Sequence, residues 1–183
     1  FFVFATQNPI EQEGTYPLPE AALDRFLFFI KVDYPSADEE ADILRRTTGE
    51  VNAEIEKVLS GDELIELQQL ARSIPVADSV LDYAVALTRN SRPGDEAPDF
   101  INTNVTWGAS PRAAQSLVMA AKAKALLNGK SHASIADIQA VAKPALRHRV
   151  ALNFAAESEG LNPDSIIQQL IEFTTEHSTS FDG

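Results

Sequence analysis

Three polar residues in this sequence have the chemical type and setting needed to act on a phosphate group. Asn8 follows a short apolar run, Arg25 precedes another, and Arg112 falls in the first turn of a predicted helix. A rigidly held amide can orient a water molecule against a terminal phosphate. A guanidinium can bind a phosphate through two hydrogen bonds, or stabilise the charge that develops when a phosphoryl group is transferred.

Each of these residues also has a plainer interpretation. Asn8 precedes a proline, and an Asn-Pro pair often begins a turn. Arg25 can form a surface salt bridge with Asp24 or Glu20. Arg112 lies at the positive end of a helix dipole and therefore needs an anion, which a nearby acidic side chain supplies as well as a phosphate does. The residue types alone leave both interpretations open.

The first part of the chain, residues 1–35, reads as α/β structure. Apolar runs predict strands over 2–6 and 26–32, with a short helix over 20–24 between them. A continuous apolar run such as 1–5 is typical of a parallel strand that is buried on both faces. We therefore expect the chain to begin inside an α/β domain.

From residue 36 onward the pattern is helical, so residues 36–183 are predicted to form a separate helical domain. Ser, Asp and Asn residues mark the helix starts because their side chains cap free backbone N–H groups. These signals are Ser36 with Glu39, Ser60 with Glu63, Asp78, Ser110 with Pro111, Ser134 with Asp137, and Asn162 with Pro163. Gly129 is a predicted helix end. Residues 90–107 predict a loop long enough to be functional or mobile.

Composition excludes several classes of function. The net charge of -12 over 183 residues argues against a nucleic-acid interface, which needs clustered Lys and Arg. The chain has no cysteine, which excludes disulfides and thiolate chemistry and suits the cytosol. Its three histidines lack metal-ligand spacing, so no metal site is predicted. No apolar run approaches the roughly 18 residues that a membrane span needs.

Three further patterns bear on possible chemistry. Residues 128–131 contain the Gly-Lys-Ser that ends a phosphate-binding P-loop, but Lys124 stands where the earlier glycine is required, and we reject the match. No Gly-x-Ser-x-Gly elbow supports a hydrolase. The basic cluster over 146–150 ends a predicted helix, where cations complement the dipole, and a capping role is predicted for it.

The residues of these motifs and their order along the chain resemble those of the MoxR branch of the AAA+ ATPases. The resemblance covers most of the chain and is strongest over residues 2–46 and 105–150. It is carried by Phe-Val-Phe-Ala-Thr-Gln-Asn-Pro-Ile-Glu-Gln-Glu-Gly-Thr-Tyr-Pro-Leu-Pro-Glu-Ala from residue 2, Leu-Asp-Arg-Phe from residue 23, Tyr-Pro from residue 34, Gly-Ala-Ser-Pro-Arg-Ala from residue 108 and Leu-Arg-His-Arg from residue 146.

This resemblance implies a mainly α chain, in which a helical AAA+ lid follows two strands and a short helix from the end of a P-loop ATPase core. Asn8 matches sensor 1, Arg25 the arginine finger offered to a neighbouring subunit, and Arg112 sensor 2. The intact protein would use ATP and Mg²⁺. The Walker A and Walker B motifs are not in this sequence, so this segment alone is expected neither to bind nucleotide tightly nor to hydrolyse ATP.

The resemblance also implies partners. MoxR-type ATPases are expected to form rings, commonly hexamers, and to remodel or mature protein complexes in the cytoplasm, often with proteins that contain von Willebrand factor A domains. No nucleic acid and no membrane span are expected. Two alternatives remain open at this point: a magnesium-chelatase-like AAA+ subunit, which shares the Asn-Pro and Arg-Phe features, and a helical interaction module without catalytic function.

Overall fold

The computed structural model describes residues 3–7, 18–49 and 56–177. In these residues the chain is mainly helical, as predicted, with one pair of very short strands. In chain order the elements are α1 Glu20–Leu23, α2 Ala37–Thr47, α3 Gly61–Ser73, α4 Asp78–Asn90, α5 Asp99–Asn104, β1 Val105–Trp107, α6 Pro111–Leu127, α7 Ile135–Leu146, β2 Ala151–Leu152, α8 Phe154–Ser158 and α9 Pro163–His177.

The predicted helix starts are confirmed, and all the predicted capping residues except one form the bonds that their types allow; the exception is Asp78, which is the first residue of α4 and forms no capping bond. Ser36, Ser60 and Ser134 each form a reciprocal capping box with the acidic residue three positions later. Ser110 accepts the backbone N–H of Arg112 at the start of α6, and Pro111 occupies the first helical position. At the other end of α6, Gly129 adopts a φ of 67°, which glycine reaches without strain.

The hydrophobic core lies between α4, α6, α7 and α9. Its fully buried side chains include Leu87, Leu117, Ile138, Leu146 and Leu170, at least one from each of these helices. Complete burial of such a side chain stabilises the fold by roughly 1.5–3 kcal/mol. These four helices are therefore the rigid part of the molecule on which the other segments are placed.

The predicted loop over residues 90–107 is wrong in its second half, which forms α5 and β1. Its polar residues satisfy backbone groups: the Asn102 side chain accepts the N–H of Gly94 at 2.9 Å and donates to the Gly94 carbonyl at 3.1 Å. Strand β1 then pairs antiparallel with β2, with Val105 opposite Leu152. Local composition does not reveal a partner that lies 47 residues away in the chain.

The two predicted apolar strands are not strands in the part of the chain that the structure describes. Residues 3–6 and 26–32 have no ladder of hydrogen bonds. A strand needs a neighbouring strand, and the backbone here has other partners: the Phe29 N–H donates to the Pro144 carbonyl at the end of α7, at 2.8 Å. The short helix between them is confirmed as α1, which ends one residue earlier than predicted.

Helices α2 and α3 lie at the edge of this body and have no buried residues. The apolar side chains of α2 remain largely open, with Leu44 60% exposed. Helix α3 rests on α6, where the Lys122 ammonium donates to the Arg72 carbonyl at 2.9 Å. The predicted domain boundary at residues 35 and 36 falls immediately before α2.

Gly108 provides a test of this packing, because it permits a close approach of two backbones. A Cβ added at Gly108 would lie 2.1 Å from the Ser91 carbonyl oxygen. Backbone atoms cannot move away as a flexible side chain would, so we expect Gly108→Ala to lower the free energy of unfolding by about 2 kcal/mol or more. Gly94→Ala is the matched control, since nothing lies within 4 Å of its added Cβ. Urea unfolding followed by helical circular dichroism measures both; equal midpoints for the two variants would contradict the prediction.

Candidate functional site

Two of the three predicted site residues line one shallow depression on the protein surface. The depression has a volume of about 190 Å³ and lies between the turn that follows α1 and the first two turns of α6. Arg25 comes from the turn and Arg112 from the helix. The residues lining it are Asp24, Arg25, Leu27, Arg112, Gln115, Ser116 and Met119.

Arg25 is exposed and forms no ion pair with another described residue. The surface salt bridge considered from the sequence needed Asp24 or Glu20, but the Asp24 carboxylate is bonded to Ser110 and Arg149 instead. Its guanidinium therefore faces the depression without a neutralising partner among the residues that the structure covers.

Arg112 is likewise exposed, at the second position of α6. No carboxylate in the described ranges forms a salt bridge with it, although its charge acts on Asp24 and contributes to lowering that pKa. The helix dipole disfavours a cation at this position. Two guanidinium groups that form no salt bridge with a described carboxylate thus line one small concavity.

The third predicted site residue, Asn8, lies outside the described residues, and its role stays a prediction.

Arg149, which was predicted only to cap a helix, organises the turn that carries Arg25. Arg149 is only 5% exposed. Its guanidinium Nε donates to the Asp24 carboxylate at 2.9 Å. The Nη2 atom donates to the carbonyls of Asp24 at 2.8 Å and Phe26 at 2.7 Å. The guanidinium also donates to the Ala145 carbonyl in the last turn of α7, which confirms the predicted capping role. Arg149 therefore both caps α7 and holds the turn at residues 24–26.

Asp24 joins this buried cation to the start of α6. One carboxylate oxygen accepts from Arg149 and the other from the Ser110 hydroxyl at 2.8 Å. Burial raises the pKa of Asp24, but the hydrogen bonds from Ser110 and Arg149, together with the charges of Arg149 and Arg112, outweigh it and leave the pKa below its usual value. Asp24 is therefore ionised at neutral pH.

Two sequence-family profiles match parts of this chain. The profile of the AAA lid domain matches residues 100–170, the stretch that contains α6, α7 and most of α9. The profile of the ATPase family associated with various cellular activities matches residues 1–28, which include Arg25.

Two similar curated proteins are members of one branch of the AAA+ ATPases, the MoxR proteins. Chaperone MoxR1 of Mycobacterium tuberculosis is 38% identical over 94% of this chain and 46% of its own length. Protein MoxR of Paracoccus denitrificans is 35% identical over 85% of this chain and 49% of its own. The chain belongs to the MoxR family of AAA+ ATPases. It spans about half the length of these relatives.

A solved structure supports the fold of this MoxR-family chain. A protein from Cytophaga hutchinsonii, described as a candidate ATPase, superposes with a TM-score of 0.80 at 33% identity. The match covers 91% of this chain and 51% of that protein. The mainly helical lid architecture predicted from the sequence is confirmed.

Arg147, two residues before Arg149, positions the next part of the MoxR-family segment. The Arg147 guanidinium donates to the Phe29 carbonyl at 3.1 Å and to the Asp164 carboxylate at 2.9 Å. Lys31 reaches the same carboxylate at 3.4 Å. Residues 24–31 are thereby held against the ends of α7 and α9.

His148 adds a further hydrogen bond between the end of α7 and residues 24–31, and its imidazole is neutral at pH 7. Its Nε2 lies 3.2 Å from the Phe26 carbonyl, which can only accept, so Nε2 carries the proton. Its Nδ1 is buried without a hydrogen-bond partner among the described residues. Burial, with the nearby charges of Arg149 and Arg147, lowers the pKa of His148 to about 4 against the opposing effects of Phe26 and Asp24.

The sequence held one signal for these contacts. Three basic residues occupy positions 147–149 directly after α7, which is more hydrogen-bond donors than one helix end can use. Such an excess indicates an additional partner, but the identity of that partner depends on the tertiary fold.

Other kinds of site are not seen in the described part of the chain. No group of three or more His, Asp or Glu side chains there is arranged to hold a metal ion. None of its helices is both long and apolar enough to cross a membrane.

Removing the Asp24 carboxylate tests its pairing with Arg149. Asp24→Ala leaves a guanidinium whose side chain is 1% exposed without its anion, so we expect the free energy of unfolding to fall by about 3 kcal/mol. Asp42→Ala breaks the exposed pair with Arg45 and is expected to cost less than about 0.5 kcal/mol. Chemical denaturation of both variants at pH 7 measures the difference; a cost for Asp24→Ala no greater than the control would count against the pairing.

His148 gives the stability a defined pH dependence. Its pKa is about 4 in the folded chain and near its ordinary value of 6.5 when unfolded, so between these values only the unfolded state takes up the proton. Stability is therefore expected to fall as the pH is lowered from 6.5 towards 4. Denaturation midpoints across this range should lose most of that slope in His148→Gln and keep it in His132→Gln, whose histidine is exposed. An unchanged slope in His148→Gln would argue against the buried neutral imidazole.

Proposed function

We propose that this chain supplies Arg25 and Arg112 together to the phosphates of an ATP molecule at a subunit boundary of a MoxR-type ATPase. The observation that carries the proposal is their shared depression. Hydrolysis builds up negative charge on the transferred phosphoryl group, and guanidinium groups held in place stabilise that charge without further reorganisation.

The size of the depression fits this partial role. At about 190 Å³ it is smaller than the roughly 300–1,000 Å³ of typical small-molecule sites. Its volume is enough to receive a phosphate group and too small to enclose a whole nucleotide. The remainder of the nucleotide would be held by another surface, which agrees with the expectation that this chain does not hold ATP by itself.

The local charge supports a phosphate as the ligand. The chain carries a net charge of -12, yet two exposed arginines line this depression. The one carboxylate on its lining, Asp24, is engaged by Arg149 and Ser110 and does not neutralise them. An anion with several acceptor oxygens is the ligand that this arrangement favours.

The same lining does not fit Mg²⁺, which prefers free carboxylate and phosphate oxygens. Both oxygens of Asp24 already accept hydrogen bonds. The metal that accompanies ATP would therefore be held by phosphate oxygens and by residues outside this depression. Asn8, as sensor 1, would orient the attacking water.

At the level of the intact protein, the proposal is an ATP-driven ring. The arginine-finger role that the MoxR resemblance implies for Arg25 acts on the nucleotide of an adjacent subunit, so neighbouring copies are the first partners. A chaperone-like role in the cytoplasm, with partners containing von Willebrand factor A domains, rests on the family resemblance; one relative carries the name chaperone. An interaction module without catalysis would instead leave ATP hydrolysis independent of Arg25.

Replacing the arginines in the intact protein tests the proposal. We expect Arg25→Ala to lower kcat by about 10³-fold or more, because an arginine finger contributes about 10³–10⁵ in kcat. Arg112→Ala should lower it by at least about 10-fold. Arg46→Ala, on the exposed helix α2, is the control and should leave kcat unchanged. Steady-state ATP hydrolysis measures all three.

Mixing subunits shows whether Arg25 acts between them. Arg25→Ala subunits keep their own nucleotide site, and subunits altered only in Walker B keep Arg25. Mixed rings should therefore recover hydrolysis that neither form shows alone. Full activity of pure Arg25→Ala rings would falsify the proposed function.

A further inference from the structure

The Arg149 guanidinium connects three segments that are far apart in the chain. Through Nη2 it reaches the turn that carries Arg25, by the carbonyls of Asp24 and Phe26. It also donates to Ser116 of α6 at 3.1 Å and to the Ala145 carbonyl of α7. Arginine presents five donors on one rigid plane, which lysine cannot do.

A second connection runs through Asp24 and links the two exposed arginines. Asp24 immediately precedes Arg25, and its carboxylate accepts from Ser110. The Ser110 hydroxyl accepts in turn from the backbone N–H of Arg112 at 3.2 Å. Two consecutive hydrogen bonds, with the peptide bond between Asp24 and Arg25, thus fix the backbone position of Arg25 relative to that of Arg112.

We propose that the buried Arg149–Asp24 ion pair is a positioning device that holds Arg25 at a fixed distance from Arg112, so that both reach one phosphate group. Neither Arg149 nor the Asp24 carboxylate needs to touch the nucleotide. They are positioning residues that act through the two exposed arginines. This inference rests on the proposed function, because it gives Arg25 and Arg112 a common ligand.

The choice of an ion pair here favours a positioning role over simple stabilisation. Taking two charges out of water costs free energy, and an apolar pair of similar volume often stabilises a fold as well or better. An apolar pair cannot, however, bind the carbonyls of residues 24 and 26 and so fix the path of the turn. A displacement of about 1 Å at a catalytic group can cost about 10²-fold in rate.

Arg149→Lys in the intact protein is the first test, because it keeps the charge and removes the planar set of donors. We expect kcat to fall by about 10²-fold while KM stays within about 3-fold, since ATP is gripped elsewhere. The decisive measurement is mixing with subunits altered only in Walker B. If Arg149 acts through Arg25 on the neighbouring site, the Walker B subunits supply a correctly placed Arg25 and hydrolysis returns.

A merely structural defect stays with the altered subunit, so mixing would not restore activity. Recovery with Arg25→Ala but not with Arg149→Lys would overturn the positioning role and leave the proposed function intact. Failure of both mixtures to recover would instead count against action between subunits. Unchanged kcat in pure Arg149→Lys rings would also overturn the inference.

Ser110 offers a milder pair of variants if Arg149→Lys does not enter rings. Ser110→Ala removes the hydroxyl that joins Asp24 to α6, and Ser110→Thr keeps it. We expect Ser110→Ala to lower kcat several-fold, with recovery on mixing, and Ser110→Thr to retain it. Equal kcat values for the two variants would overturn the inference.

Discussion

The buried charge of Arg149 constrains the arrangement of the site more than any other single group. A guanidinium removed from water must be paired and hydrogen-bonded, or its desolvation would cost several kcal/mol. Asp24 and the carbonyls of residues 24 and 26 provide these partners. The same bonds satisfy the backbone of a segment that lacks strand neighbours in the described structure. The partners of this one buried charge thus fix the backbone position from which the Arg25 side chain extends.

Local charge and total charge lead to different expectations in this protein. A net charge of -12 suggests a surface that repels anions. Exposed charges are screened beyond about 8 Å at physiological ionic strength, however, so a phosphate responds mainly to the groups around it. Arg25 and Arg112 line one depression and form no salt bridge with a described carboxylate, while the Asp24 carboxylate beside them is bonded to Arg149 and Ser110. Like charges placed together in this way cost stability, and a departure from local stability rules is most often found at functional sites.

The long helices were predictable from the sequence because their start signals are local, whereas the short helices α5 and α8 were not predicted. Ser36, Ser60 and Ser134 form their capping boxes within four residues, so no tertiary information is needed. The strand predicted over 26–32 failed because strand formation depends on a neighbour, and the apolar run was read without one. The pairing of Val105 with Leu152 was missed for the same reason.

The candidate site was predictable in part. The types and local positions of Arg25 and Arg112 pointed to a phosphate, and the resemblance to the MoxR branch gave each a role. That both line one depression could not be inferred, because 86 residues separate Asp24 from its partner Ser110. The sequence predicts only a capping role for Arg149 because the end of α7 is its neighbour in the chain. The turn at residues 24–26 comes into contact with Arg149 only in the folded structure.

The hydrogen bonds from Arg147, His148 and Arg149 to residues 24–29 cross the boundary drawn at residues 35 and 36. These hydrogen bonds attach the turn that carries Arg25 to the helical body. A rotation of this helical body would then move Arg25 and Arg112 together. On the proposed function, one such movement would withdraw both arginines from a neighbour's phosphate.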